Sequence, residues 1–585
     1  MSDPQAFLGV TCSALGKVWH GPDAAQDRLA QTIAQRVGLP YAVSALLARI
    51  GVGLDEVQTY LDPTLRALLP DPRSLRDMEK AALRVLQAVQ SHQRIAIFAD
   101  YDVDGGASAA LLICWLRAMG RGATLYIPDR IDEGYGPNEP AMAALAKDHD
   151  LIICVDCGTL SHGPIASAKG ADVIVLDHHL GLETLPDAVA IVNPNRQDED
   201  GTLAYLCAAA VVFLLLVEVN RQVRQAGTAS PPDLMGLLDL VALATVADVA
   251  PLRGVNRAFV RQGLRVMAER KRVGLRALAD VARLDTAPRA YHLGFVLGPR
   301  VNAGGRIGAA DLGARLLATD DPAEAQALAQ RLDVLNTERR EIEAAVRASA
   351  LAQVELRSSD GPLAWAAGEG WHPGVVGIAA ARLKEATHRP AIVIGIEGEI
   401  GKGSGRSVSG IDLGAAIQRL AIEGLIQKGG GHRMAAGLTL HRDQIEPAMA
   451  RLSELITRQG LDPMAGRALR LDALLTPEVV NTALLEQIER AGPFGAGIPG
   501  PRFAFPDMLV QSCRRMGESH LRFRARSDSG ASIEVVAFRA FDSALGDVIT
   551  QSEGRRLHLA GQLDLNTWNG RNSVQLRLDD AARST

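Results

Sequence analysis

Ile95-Ala-Ile-Phe-Ala99 runs into Asp100-Tyr-Asp-Val-Asp104-Gly-Gly106. The pattern then recurs twice. Leu151-Ile-Ile-Cys-Val155 runs into Asp156, and Val173-Ile-Val-Leu176 runs into Asp177-His178-His179. Short, β-rich apolar runs between helical stretches read as strands buried on both faces of a parallel sheet. Ligands of open α/β sheets gather at the carboxyl ends of such strands. One Asp at a strand end is ordinarily a helix cap or turn residue. Three in succession, one with two further carboxylates and another with two imidazoles, exceed what capping needs. Carboxylates with some imidazole suit Mn²⁺ or Mg²⁺, and several carboxylates can hold two ions. The residues alone therefore point to a metal-dependent hydrolase.

Working outward, strands are expected near 94–99, 123–127, 151–155, 172–176 and 189–193, with helices such as 106–119 and 139–147 between them. That alternation is a doubly wound α/β domain. Residues 203–320 read as mostly helical. Residues 322–357 hold no Gly and no Pro beyond Pro322, so they read as one long helix. A second, smaller α/β unit starts near 362, with a strand at 391–396. From 503 to 580 apolar and polar residues alternate, with a hairpin cue at Trp568-Asn-Gly-Arg571, which suits a small β-barrel. The expected division is an amino-terminal segment 1–60, a catalytic α/β domain 61–320, a connecting helix 321–357, a second α/β domain 358–460 and a β-barrel domain 464–585.

Composition narrows the function. The chain of 585 residues is 47% hydrophobic and 22% charged, which is ordinary for a globular protein. A net charge of −5 excludes a global basic field, so any nucleic-acid surface is a local patch. Cys154 and Cys157 form a C-x-x-C without a second pair and half inside a strand, which argues against structural zinc. The scattered thiols suit a reducing cytoplasm. No targeting segment is visible. The longest uncharged apolar run, Leu203 to Val217, is 15 residues. That is short of the ~18 needed to span a bilayer.

Two basic groupings offer phosphate contacts. Arg253, Arg257, Arg261 and Arg265 recur every four residues, one stripe if helical. Arg514, Arg515, Arg522, Arg524, Trp568 and Arg571 populate the β-rich end, where cations with an aromatic suit a single strand. Gly-rich Gly401 to Ser407 lacks P-loop spacing, which leaves nucleoside triphosphates unsupported. Its backbone N–H groups could still nest an anion.

From about 60 to 580 the sequence resembles the RecJ family of single-strand-specific DNA exonucleases, within the DHH phosphoesterase superfamily. The motifs are Ala99-Asp-Tyr-Asp-Val-Asp-Gly105, Tyr126-Ile-Pro-Asp-Arg130 with Glu133-Gly-Tyr-Gly136, Val155-Asp-Cys-Gly158, Asp177-His-His179 and Thr245-Val-Ala-Asp248. Further along come Gly298-Pro-Arg-Val-Asn302 with Arg306, Trp371-His-Pro-Gly-Val-Val-Gly377, Gly403-Ser-Gly-Arg-Ser407, Gly429-Gly-Gly-His432 with Ala435-Ala-Gly437, and Gly492-Pro-Phe-Gly-Ala-Gly497. The resemblance implies a DHH catalytic domain, a DHH-associated substrate-binding domain and an OB-like carboxy-terminal domain. It implies two Mn²⁺ or Mg²⁺ ions, with Asp102 on one, Asp104 on the other, Asp156 bridging, and His178 with Asp248 completing the second site. His179 would sit by the scissile phosphate. Some relatives carry His where Phe98 stands, which leaves Asp100 or water to take that place. Arg300, Asn302, Arg306, Arg406, His432, Trp568 and Arg571 are the implied nucleic-acid contacts. The loop Gly495-Ala-Gly-Ile-Pro-Gly500 departs from the family's Gly-Ala-Gly-Asn-Pro-Glu. The implied activity is 5′→3′ hydrolysis of single-stranded DNA to 5′-mononucleotides, in repair and recombination. The implied protein is a cytoplasmic monomer, away from membranes, with a single-strand-binding protein and a RecQ-type helicase as partners. The rivals are a phosphoesterase for short oligonucleotides or cyclic dinucleotides, and a non-catalytic scaffold. The first usually lacks a β-rich third domain, and the second does not need the retained acids and histidines.

Overall fold

The computed structural model describes residues 6–130, 133–227, 230–357, 361–460, 467–568 and 571–584. It divides into two compact units. One comprises Leu68–Asp462 with Gly495–Gly497, and the other Met1–Ala67, Pro463–Phe494 and Ile498–Thr585.

In the first unit the five apolar runs become strands where expected: β1 (Ile95–Ala99), β2 (Thr124–Tyr126), β3 (Leu151–Val155), β4 (Asp172–Leu176) and β5 (Ala190–Val192). They form an all-parallel sheet of order β2-β1-β3-β4-β5. Every residue of β1 and β3 is buried, as helices on both faces of a parallel sheet require. The register pairs Ala99 with Val155, and Val155 with Leu176. The next residue of each strand is an Asp, so Asp100, Asp156 and Asp177 emerge side by side at one edge.

Helices cover the sheet. Those that concern the site are α1 (Val103–Ala118), α2 (Ala208–Ala226), α3 (Leu238–Ala247), α4 (Val255–Ala268) and α5 (Gly298–Ile307). The apolar run from 203 lies largely in α2, and 14 of that helix's residues are buried, so it is core helix. Among the described residues no helix is long and apolar enough to cross a membrane. The 35-residue α6 (Pro322–Leu356) is the expected long helix. Asp321 caps it by accepting from Ala323 N–H, with Pro at its first turn.

The second α/β sheet contains β6 (Ala364–Glu369), β7 (Ala391–Glu397), β8 (Ile400–Arg406), β9 (Lys428–His432) and β10 (Ala435–His441). Its order is β9-β10-β8-β7-β6, antiparallel except for β6 with β7. Gly403 and Gly405 face the core, where a Cβ would meet Ile394 and Ile392 at 3.0 and 2.5 Å. The alternate residues Lys402, Ser404 and Arg406 therefore share the opposite face.

The other unit closes a barrel. Phe503–Met516, His520–Arg526, Ser532–Ala537, Arg571–Arg583 and Arg556–Trp568 pair in that order, and the last returns to the first. The described part of the amino-terminal segment, residues 6–60, belongs to this unit. Ile33, Leu46 and Leu47 share a core with Phe503, Phe505 and Phe523. Strand Val18–His20 pairs with Ala468–Arg470, and the Trp19 indole donates to Asp580 at 3.0 Å. The Asp462–Pro463 boundary and the hairpin tip at 569–570 lie outside the described residues.

Candidate metal centre

Asp102 has two local duties. It is the N-cap of α1, and its Oδ1 accepts from Asp104 N–H at 2.8 Å and Gly105 N–H at 3.2 Å. Capping turns the helix so that Asp104 enters the interior. Both Asp104 oxygens accept from the first N–H groups of α2, Ala208 at 2.7 Å and Ala209 at 2.8 Å. A helix N-terminus favours negative charge, which helps hold this buried carboxylate. Gly105 is required here, because a Cβ would lie 2.4 Å from the Asp100 carbonyl oxygen.

Asp156 follows β3 with φ of +60°, a left-handed backbone rare for a residue with a side chain. Such strain clusters at functional sites. His178 Nε2 stands 3.2 Å from Asp156 Oδ1 and 3.7 Å from Asp104 Oδ2, and its Nδ1 is 3.9 Å from Asp248 Oδ2. Asp248 arrives on the C-terminal end of α3, 70 residues after His178.

The result is three overlapping triads whose donor atoms lie within 4.8 Å of one another: Asp100–Asp102–Asp156, Asp104–His178–Asp248 and Asp156–His178–His179. Asp156 is common to the first and third, and His178 to the second and third. Asp100 stands in the first, where Phe98 leaves the family's imidazole missing.

The charges do not balance within the protein. Burial, then the Asp102 charge, pushes the Asp100 carboxyl well above its ordinary range. Burial and the neighbouring carboxylates do the same to Asp156. Asp248 is pushed up to about 8 by burial and by Asp104 and Asp102. Asp100 Oδ1 and Asp156 Oδ1 are buried with no hydrogen-bond donor in good geometry. Buried oxygens of this kind normally find a partner. Hard divalent cations fit both the orphaned oxygens and the donor set.

Asp177 behaves differently. Its Oδ1 accepts from His178 N–H at 2.8 Å and lies 2.8 Å from His179 Nδ1, while Oδ2 accepts from Thr159 N–H at 3.0 Å. Burial alone would raise its pKa, but the His179 and Thr159 bonds hold it well below the usual range. Burial works against the His179 cation as well, yet Asp177 raises that pKa to about 9. Asp177 thus orients His179 and keeps it charged. Asn193 and Asn195 donate to the His179 and His178 carbonyls at 2.8 and 2.6 Å, and the Tyr135 hydroxyl donates to the Asp156 carbonyl at 3.0 Å. None of these supports is a site residue on sequence grounds. Only the i, i+2 spacing of Asp177 and His179 signals its pair.

Three family models match the chain: the DHH family N-terminal domain over residues 94–245, the DHHA1 domain over 360–458 and the RecJ OB domain over 471–580. The single-stranded-DNA-specific exonuclease RecJ of Dickeya dadantii is 40% identical over 565 residues, covering 92% of this chain and 96% of that protein. The chain belongs to the RecJ exonuclease family. RecJ of Escherichia coli is 38% identical over 566 residues, covering 93% of this chain and 96% of its own. RecJ from Thermus thermophilus, solved with Mn²⁺, superposes with a TM-score of 0.78 at 31% identity, covering 96% of this chain and 79% of its own. Its Mg²⁺ complex gives 0.73 at 30% identity, covering 97% and 78%. RecJ relatives have thus been solved with both metals that the acidic cluster suits.

The implied strand contacts separate into three groups. Arg306 donates to the Gly374 carbonyl at 3.1 Å, and burial together with nearby Arg130 lowers its pKa. Arg406 is lowered by the same two causes. Guanidiniums crowded in this way favour an anion between them. Beside them opens a cleft of about 580 Å³, lined by Arg130, Lys402, Ser404, Lys428, Gly430 and Thr439. Arg130, Lys402 and Lys428 are absent from the sequence-derived contacts, although Arg130 stands inside a quoted motif. His432 is exposed at the end of β9 on the same face.

Arg300 and Asn302 are instead matched within the protein. Arg300 pairs with Asp333 at 2.8 Å and donates to the Val296 carbonyl at 2.7 Å. Asn302 Oδ1 accepts from Val103 N–H at 2.9 Å and so steadies the Asp102–Asp104 turn. The side chains of Trp568 and Arg571 lie outside the described residues.

The basic stripe is a correction. Arg253 precedes α4, with its guanidinium over the Tyr205 ring at 5.1 Å, and Arg257 is 2% exposed. Arg257 is thus buried, so the four arginines do not form one solvent-facing row. On the barrel, Arg522 and Arg524 do alternate outward from buried Leu521, Phe523 and Ala525. Arg514 pairs with Arg522 in register, and Glu534 pairs with the Arg522 side chain.

Proposed function

We propose that this chain hydrolyses single-stranded DNA from the 5′ end to 5′-mononucleotides, using two Mn²⁺ or Mg²⁺ ions, in DNA repair and recombination. The observation that carries this reading is the carboxylate–imidazole cluster with two orphaned buried oxygens, in a chain 40% identical to a RecJ exonuclease. Polarity and product rest on the family resemblance. In this reading Asp102 and Asp104 would each hold one ion, Asp156 would serve both, Asp100 would complete the first site, and His178 and Asp248 would complete the second. When bound, the ions acidify water and neutralise phosphate oxygens during in-line attack.

The remaining work falls to the chain's own residues. Asp177 keeps His179 protonated and oriented so that the imidazolium can give its proton to the departing 3′ oxygen. Arg130, Arg306 and Arg406 hold a strand phosphate, with Ser404 and His432 beside them. Arg514, Arg522 and Arg524, with Trp568 and Arg571, contact the strand from the barrel unit. We place the activity in the cytoplasm, as a monomer that meets a single-strand-binding protein and a RecQ-type helicase.

The test is incubation with end-labelled single and double strands, with and without Mn²⁺, and sizing of the products. Metal-dependent release of mononucleotides from the 5′ end of single strands alone is expected. Cleavage confined to dinucleotides would favour the short-substrate rival instead.

A further inference from the structure

Helix Val273–Val281 and the end of α4 line a cavity of about 640 Å³ that shares no lining residue with the metal centre or the Arg130 cleft. That volume lies in the range of small-molecule sites. Buried Met267 and Leu275 and half-buried Leu284 form an apolar wall. Arg270, Lys271, Arg272, Arg276 and Arg283 also line the cavity, a density of cations that packing does not require. Three of them are matched: Arg270 with Asp280, Lys271 with Glu269 at 2.7 Å and Arg272 with Asp239 at 2.8 Å. Among the described residues no acid pairs with the exposed Arg276 and Arg283.

The backbone is strained at the same place. Arg270 and Arg283 each have φ of +54°, just past the ends of α4 and of helix Val273–Val281. Past a helix end that left-handed conformation usually belongs to glycine. Here it carries a guanidinium to the cavity instead, and such strain clusters at functional sites. Arg272 fixes the floor, donating to Asp239, to the Gly236 carbonyl at 3.0 Å and to Cys114 Sγ at 3.6 Å, which joins α3 to α1. Asp239 stands in the first turn of α3, and Asp248 lies roughly 14 Å farther along that helix, so the cavity and the metal centre are separate sites. Asp285 and Thr286 complete the lining with acceptor oxygens. Unmatched guanidiniums suit a phosphate, and the apolar wall suits a flat ring. The acceptors suit sugar hydroxyls and base N–H groups. A carboxylate among the cations disfavours a polyanion, which leaves a small ligand with one charged end.

We propose that this cavity binds a free nucleoside 5′-monophosphate, with its phosphate on Arg276 and Arg283 and its base against Met267, Leu275 and Leu284. The ligand class follows from the lining and does not depend on the exonuclease reading. A nucleoside monophosphate is also what that reading releases, so the cavity is a second place for product, apart from the metals.

The test is isothermal titration calorimetry of the full-length protein in EDTA, which keeps metal-bound phosphate out of the signal. The probes are thymidine 5′-monophosphate, thymidine, inorganic phosphate and an oligothymidylate without a 5′ phosphate. The monophosphate is expected to bind saturably, and thymidine and phosphate each at least about tenfold more weakly, since each keeps only part of the contacts. Arg276→Ala and Arg283→Gly should each weaken the monophosphate by about ten- to a hundredfold, the size of a lost charge-assisted hydrogen bond. Glycine accepts the φ of position 283, so Arg283→Gly should lose the ligand without a lower urea midpoint. Arg406→Ala, in the other cleft, should bind the monophosphate as wild type does. Absence of saturable binding, or wild-type affinity in Arg283→Gly, would overturn the proposal. Loss in Arg406→Ala but not in Arg276→Ala would overturn it by placing the nucleotide in the Arg130 cleft. Inorganic phosphate binding as tightly as the monophosphate would overturn it in favour of a bare anion site. An oligothymidylate that binds more tightly, and is weakened by the same two variants, would overturn it in favour of a strand-binding surface.

Discussion

Replacing Asp248 with Asn should strengthen the metal-free protein while abolishing its response to metal. The Asp248 carboxyl lies 3.9 Å from His178 Nδ1, and burial with the Asp104 and Asp102 charges pushes its pKa from 3.8 to about 8. A carboxyl whose folded pKa exceeds its unfolded value takes up a proton on folding, so metal-free stability falls as pH rises between those values. At pH 7 the roughly 3.2 pH units above 3.8, at about 1.36 kcal/mol each, put the penalty on the order of 4 kcal/mol. Asn has the same shape and does not titrate. In EDTA the urea-denaturation midpoint of Asp248→Asn should therefore exceed that of wild type at pH 7 and 8. The gap should shrink by more than half at pH 5 and vanish near pH 4. Added Mn²⁺ should close most of the gap at pH 7, because a ligand at a hundredfold its Kd stabilises the native state by about 2.7 kcal/mol only where its site is intact. Hydrolysis should be lost. A variant less stable than wild type in EDTA at pH 8, or a gap flat from pH 5 to 8, would refute the view that this cluster is strained until a cation enters.

Three other outcomes are expected. Asp156→Ala should retain its fold by circular dichroism but less than about a tenth of wild-type turnover, a loss beyond ~1.4 kcal/mol. His179→Ala should lower kcat by about 10²–10⁴-fold with metal content by mass spectrometry unchanged, whereas His178→Ala should lose an ion. Arg300→Ala should lower the urea midpoint, because it leaves Asp333 without its partner. Its KM on single strands should not change, and a selective KM rise would instead restore Arg300 as a strand contact.

Much of the catalytic half was legible because its signals are local. A buried parallel strand announces itself as a short apolar run, and the residue after it must emerge at the sheet's edge. Five runs gave five strands, and Asp100, Asp156 and Asp177 came into line because the register pairs Ala99, Val155 and Leu176. The acids of the first motif were equally plain, since Asp102 caps α1 within its own turn.

What the sequence could not decide depends on which distant element covers which face. Periodicity shows that α4 has a buried side but not that Arg257 lies on it, so the spacing of four arginines suggested a row that the burial of Arg257 breaks. Motif order marks Arg300 and Asn302, but only their neighbours show one paired with Asp333 and the other holding Val103 N–H. The N–H groups of Ala208 and Ala209 stabilise Asp104 across more than 100 residues of chain, and residues 1–60 find their core in the barrel near the opposite terminus. Side-chain chemistry and local spacing therefore marked the acids and imidazoles that gather at the strand ends. Tertiary packing decided their charge balance and partners, because burial and Coulomb interactions act through space rather than along the chain.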